Sequence, residues 1–102
     1  MKNILLEENL EQAVTLLKAL ANEKRLLIMC ALIREEKCVG ELEQIVGLSQ
    51  SALSQHLARL RRDQLVATRR DAQTIYYSCD NEMVKRAIAN LDETFHICGA
   101  DK

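Results

Sequence analysis

Thirteen residues constrain the fold of this chain more than any others: Leu48-Ser-Gln-Ser-Ala-Leu-Ser-Gln-His-Leu-Ala-Arg-Leu60. Ala52, Leu53, Leu57 and Leu60 recur at helical spacing, and Ser49 stands where a helix N-cap is wanted. Immediately upstream, Val39 to Val46 reads as a short amphipathic helix, and Gly47-Leu48 supplies a tight turn between the two. Downstream, Leu65 to Arg70 and Gln73 to Ser78 are β-prone runs joined around Asp71-Ala72. Alternation along the runs predicts Leu65, Ala67, Ile75 and Tyr77 on one face, with arginines near the tip.

Helix, glycine turn, helix and hairpin in that order make a winged helix-turn-helix. The second helix leaves Gln50, Ser51, Ser54, Gln55 and Arg59 outward, with His56 facing DNA or solvent. These side chains can donate to and accept from base edges and phosphates, and few of them would help a fold. Ser49 at the helix start and Arg69, Arg70 and Gln73 on the hairpin extend the same surface, so the expected partner is double-stranded DNA. The chain's net charge of −1 speaks against this until it is divided along the sequence. Residues 1–48 carry a net −2, residues 49–79 a net +3, and residues 80–102 a net −2. The excess positive charge lies entirely on the proposed reading segment, and local potential is what phosphates feel.

The rest of the chain reads as helix. Leu5 to Leu20 places Leu6, Leu10, Ala13, Val14, Leu17 and Leu20 on a broad apolar face. Asn22 can cap a helix from Glu23 to about Glu35, with Leu26, Leu27, Met29, Cys30 and Ile33 inward or near the inward face. Asp80 or Asn81 can start a last helix reaching residue 98 and lined by Val84, Ala87, Ile88, Leu91 and Phe95. The expected fold is mainly α with a β-hairpin wing, in the order α-α-α-α-β-β-α, as a single domain over 1–102. Its terminal helices, 4–20 and 81–98, are not needed to build a winged helix. Ordinary core accounts for their apolar stripes, and so does a homodimer interface that sets two recognition helices one DNA turn apart.

No segment reads as a signal peptide or a membrane span, so a soluble, cytosolic protein with no membrane partner is expected. Thiols are normally kept reduced there, and four cysteines (30, 38, 79 and 98) in a chain this short raise the question of reactivity. Cys30 reads equally well as a small buried hydrophobe, whereas Cys98, at a helix end before Gly99, is poorly explained by burial. No two cysteines show the Cys-x-x-Cys spacing of a thiol oxidoreductase. Phosphate loops, nucleophile elbows and metal-hydrolase motifs are missing from the sequence too, so neither enzyme activity nor a cofactor is expected.

The helix order, the stretch Leu17-Lys-Ala-Leu-Ala-Asn-Glu-Lys-Arg-Leu26 and the run from Val39 to Ser78 resemble the ArsR/SmtB winged-helix repressors. That resemblance implies a homodimer that represses its operon until an inducer releases it from DNA. Metal sensors of the family often carry Cys-x-Cys before the recognition helix; here the matching residues are Cys38-Val39-Gly40, and the second cysteine is lost. The last helix likewise lacks the His-x-x-Glu of another family site and has only His96. A non-standard thiolate site for a metal or metalloid, built from Cys38, Cys79 and Cys98, stays open as an alternative. The chain also resembles the sulfide- and redox-responsive branch, of the BigR, SqrR and HlyU type. That likeness implies a sensing pair of Cys30 with Cys98, responding to a sulfane sulfur donor or an oxidant, with Cys38 and Cys79 accessory.

Overall fold

The computed structural model describes residues 4–99. Helices α1 (Ile4–Leu20), α2 (Glu23–Arg34), α3 (Val39–Val46), α4 (Gln50–Arg62) and α5 (Glu82–Phe95) surround a small sheet. Its strands are β1 (Lys37–Cys38), β2 (Ala67–Asp71) and β3 (Thr74–Ser78), antiparallel in the order β1-β3-β2. This is the winged helix-turn-helix expected from the sequence, with one strand added. A two-residue strand carries no readable alternation, which is why β1 escaped notice; Lys37 and Cys38 pair with Tyr77 and Tyr76. The ends of the expected domain, 1–3 and 100–102, lie outside the described residues.

Local chemistry sets the helix boundaries. Asn22 caps α2 by accepting from Arg25 N at 3.0 Å, and Asn81 caps α5 by accepting from Val84 N at 3.2 Å. Gly47 ends α3 at φ 70°, a left-handed conformation that costs glycine little, and its N–H reaches Glu43 O. Lys24 Nζ donates to Val46 O at 2.9 Å, which closes another free carbonyl at that helix end. Helix α4 ends differently. Gln64 takes the left-handed position at φ 62°, with Gln64 N–H on Arg61 O and Leu65 N–H on Leu60 O.

One apolar cluster holds the elements together. Ile28, Met29 and Leu32 of α2 are buried with Leu42 of α3, Leu53, Leu57 and Leu60 of α4, and Val84 and Ile88 of α5. The inward side of α2 is wider than expected: Met29 and Cys30 are buried and Leu26, Leu27 and Ile33 pack half-buried against the core, and Ile28 and Leu32 are buried as well. A helix packed on several sides is apolar nearly all round, so spacing alone does not choose its face. Helix α1 contributes only its last turns, through Leu16, Ala19 and Leu20, while Leu10, Val14 and Leu17 remain exposed. The radius of gyration, 14.5 Å, exceeds the roughly 13 Å usual for a chain this long. Among the described residues, no helix is long and apolar enough to cross a membrane.

The hairpin differs in register and facing. Asp71 pairs with Thr74, so the loop is Ala72-Gln73, with Ala72 at φ 58°. Partners across the strands are Thr68 with Tyr77 and Arg70 with Ile75, so Ile75 and Tyr77 share a face with Thr68 and Arg70. Ala67 lies opposite Ser78, on the other face. A two-residue loop pairs odd-numbered with even-numbered residues, which the expectation of Ala67 beside Ile75 and Tyr77 overlooked. Leu65 and Val66 are buried ahead of β2.

A side chain in the left-handed region is strained, and glycine relieves that strain. Gln64→Gly is therefore expected to raise unfolding stability by about 1 kcal/mol. The measurement is the midpoint of urea unfolding, with the slope unchanged.

Candidate nucleic-acid interface and cysteine pair

Helix α4 begins at Ser49, whose Oγ accepts from Ala52 N at 3.3 Å and lies 3.5 Å from Ser51 Oγ. Leu53, Leu57 and Leu60 bury one side of the helix, and Gln50, Ser51, Ser54 and Gln55 are exposed. Arg62, one heptad beyond Gln55, falls on the same outward face and is 71% exposed. The reading of the sequence left it out of the reading surface, although the helical period would have found it.

Two residues expected outward are held against the protein instead. His56 is half-buried, and its Nδ1 lies 3.3 Å from Arg25 Nη1. A guanidinium can only donate, so Nδ1 is the acceptor and the ring is neutral there. Burial, then the charge of Arg25, holds the His56 pKa below its ordinary 6.5. Arg25 itself donates from Nε to Ala19 O at 2.6 Å and from Nη2 to Lys18 O at 3.1 Å. One guanidinium thus closes the end of α1 and braces α4. Arg59 also lies on this inner flank: its Nε is buried and sits 3.6 Å from Asp63 Oδ2.

The wing presents its arginines unequally. Gln73 stands in the tip loop, and Arg70 is exposed. Arg69 turns back across the sheet, stacks 4.6 Å over the Tyr76 ring and donates from Nε to both Glu36 oxygens, at 2.9 and 3.1 Å. Its Nη2 adds a third bond to Glu36 Oε1. Those hydrogen bonds hold the Glu36 carboxylate below its ordinary range and raise the Arg69 pKa. Glu36 lies far from the wing in sequence, and nothing in its neighbourhood marks it as an arginine partner.

The cysteines fall on different elements. Helix α5 stops at Phe95, three residues before the expected end, because His96 takes φ 58° and reverses the chain. Ile97 then packs on the core, and Cys98 N–H donates to Asp92 Oδ1 at 2.9 Å. This return lays Cys98 on α2, where its sulfur is bonded to that of Cys30 with the Cα atoms 5.2 Å apart. A groove of about 270 Å³, with Leu27, Arg34, Lys37, Ile45 and Ile97 in its walls, opens beside the pair. Cys79 is buried, and that burial pushes its thiol pKa up. Cys38 is half-buried at the start of α3, where its N–H donates to Glu41 Oε1. Among the described residues, no three His, Cys, Asp or Glu side chains are grouped so as to hold a metal ion.

This geometry has known counterparts. The profile of the bacterial regulatory proteins of the arsR family matches residues 22–68. The transcriptional activator HlyU of Vibrio cholerae is 53% identical over 90 residues, covering 88% of this chain and 83% of that protein. Its solved structure superposes with a TM-score of 0.84 over 88% of this chain and 98% of the other. The chain belongs to the arsR family. A biofilm growth-associated repressor of Xylella fastidiosa is 42% identical over 97 residues, 95% of this chain and 83% of that protein. The homodimeric winged helix-turn-helix domain of Mb0332 from Mycobacterium bovis, 27% identical, has a TM-score of 0.79 over 99% of this chain and 95% of the other. This arsR-family protein is accordingly a DNA-binding transcription regulator, of a kind that includes repressors and activators.

In this regulator the brace on α4 is sensitive to pH. His56 has an ordinary pKa when unfolded and a lowered one when folded, so the unfolded chain binds the extra proton first. Its contribution is full above about pH 6.5 and is lost as pH falls through the lowered folded value. The stability lost between about pH 7.5 and 5.5 should be smaller in His56→Gln than in the parent, as read from urea midpoints.

Proposed function

We propose that this arsR-family regulator is a homodimeric cytoplasmic repressor whose hold on double-stranded operator DNA ends when Cys30 and Cys98 react with a sulfane sulfur donor or an oxidant. The observation that carries this reading is the pairing of the two cysteines. Their Cα separation of 5.2 Å lies within the range that a disulfide spans without backbone movement. Cys98 is the more exposed of the two and meets a reagent first, whereas Cys30 is 5% exposed and serves as the resolving thiol. With a hydropersulfide, the Cys98 thiolate takes the outer sulfur and releases the donor thiol. The Cys30 thiolate then attacks the Cys98 sulfur and expels hydrosulfide, leaving a disulfide. A longer polysulfide bridge forms if further sulfur is added before closure.

DNA contact falls to Ser49, Gln50, Ser51, Ser54 and Gln55 in the major groove, with Arg62 beside them. Arg70 and Gln73 reach the backbone or minor groove from the wing, and Arg69 joins them when it leaves Glu36. His56 acts indirectly, restraining α4 through its contact with Arg25. Dimerisation is supported by the exposed Leu10, Val14 and Leu17 of α1 and Phe95 of α5. An apolar groove of about 350 Å³, lined by Leu16, Leu17, Leu20, Ala87 and Leu91, lies between these helices. The homodimeric Mb0332 relative adds weight. Bridging Cys30 to Cys98 ties the end of α5 to α2, and a shift of α5 at a dimer interface alters the spacing of two recognition helices. Operator half-sites tolerate little change in that spacing.

Cys30→Ser and Cys98→Ser should each bind operator DNA as the reduced parent does and stay bound after persulfide treatment. The parent should lose more than about tenfold in affinity, a change of about 1.4 kcal/mol. Cys38→Ser and Cys79→Ser should keep the response. Loss of the response in Cys38→Ser, with its retention in Cys30→Ser, would overturn the pairing in favour of a thiolate metal site. Sedimentation tests the assembly separately: the parent should run as a dimer at micromolar concentration, and Leu10→Glu with Leu17→Glu as a monomer.

A further inference from the structure

We infer that Glu36 sets the affinity of this regulator for DNA by withholding the wing arginine Arg69 from phosphate. The inference rests on DNA binding through the wing and adds a residue that the family assignment does not single out. Arg69 lies on β2, the edge strand of the wing, yet its side chain crosses β3 over the Tyr76 ring and ends on Glu36. Its direction is back toward the body of the domain, away from the tip loop at Ala72-Gln73. Both Glu36 oxygens receive hydrogen bonds from Arg69, and Nε and Nη2 are both committed to them. A planar guanidinium bound edge-on by one carboxylate has the geometry it would use on a phosphate. Carboxylate and phosphate therefore compete for the same edge of the same group.

The pair is suited to exchange. The two side chains are 53% and 37% exposed, and solvent-exposed ion pairs contribute little to stability. The position of Glu36 gives the contact a further consequence. It sits between Glu35 and Lys37, both of which line the groove beside Cys30 and Cys98, and β1 begins at Lys37. The carboxylate that holds the wing arginine is thus carried on the strap between the cysteine pair and the sheet. Arg70, the neighbouring arginine, makes no ion pair among the described residues and is not withheld in this way.

Salt dependence separates this role from a structural one. Each phosphate neutralised by a cationic side chain adds about 0.9 to the slope of log affinity against log salt. Glu36→Gln keeps the size of the side chain and removes the charge. On duplex DNA of random sequence it should bind more tightly than the parent at low salt, with a slope steeper by about 0.9. Adding Arg69→Ala to Glu36→Gln should abolish both gains, whereas Arg70→Ala in the same background should leave the gain from Arg69 in place. Thermal unfolding of each variant checks that the fold is retained. An unchanged or shallower slope in Glu36→Gln overturns the inference, as does a steeper slope that survives Arg69→Ala. Failure of the parent to bind any duplex would instead refute the DNA reading itself.

Discussion

Three leucines hold the recognition helix to the protein, and everything the protein does with DNA depends on them. Leu53, Leu57 and Leu60 are the buried residues of α4, and they share one apolar cluster with Ile28, Met29 and Leu32 of the central helix α2. Burying each contributes about 1.5–3 kcal/mol, which fixes where the helix lies and leaves only small rotations about its axis open. Polar contacts on the inner flank restrict that freedom. Arg25 bonds to the carbonyls that end α1 and to His56 on α4, which ties the helix to the body of the domain. A helix placed by hydrophobic burial and oriented by a few directional bonds can present its opposite face, from Ser51 through Gln55 to Arg62, in a defined way.

The same central helix carries Cys30, so the cysteine pair and the DNA-reading helix are packed on one core. Helix α2 packs against α5, α5 returns Cys98 onto α2, and the strap after α2 leads through Glu36 into the sheet. A covalent tie between Cys30 and Cys98 acts at the junction of these elements. Helix α1 takes little part in that junction. Its exposed leucines and the apolar groove it shares with α5 are surface that a second subunit would cover.

Much of the fold was legible in the sequence, because its signals are local. Gly47 at a turn, Ser49 and Asn22 at caps and the spacing of Leu53, Leu57 and Leu60 each depend on a few neighbouring residues, and the structure keeps them all. The cysteine pairing was legible only through likeness to a family branch, not through spacing. The differences have two physical sources, one local and one long-range. Ala67 and Ile75 fall on opposite faces because the parity of a two-residue loop sets strand facing, which is a local rule, whereas the burial of Ile28 and Leu32 depends on the several elements that cover α2.

What the sequence alone determined is the five helices and the hairpin, their order and the gathering of positive charge on residues 49–79. Periodicity, capping and charge are properties of short stretches, so they survive without the fold. Only the tertiary structure decided which polar side chains remain available. His56 and Arg69 look like DNA contacts along the chain, yet partners distant in sequence, Arg25 for His56 and Glu36 for Arg69, meet them once the helices and sheet are packed. Cys98 reaches Cys30 for the same kind of reason. The reversal at His96 is a local helix end closed on Asp92, but the seating of Ile97 on the core needs α5 to lie against α2, and no spacing along the chain encodes that approach.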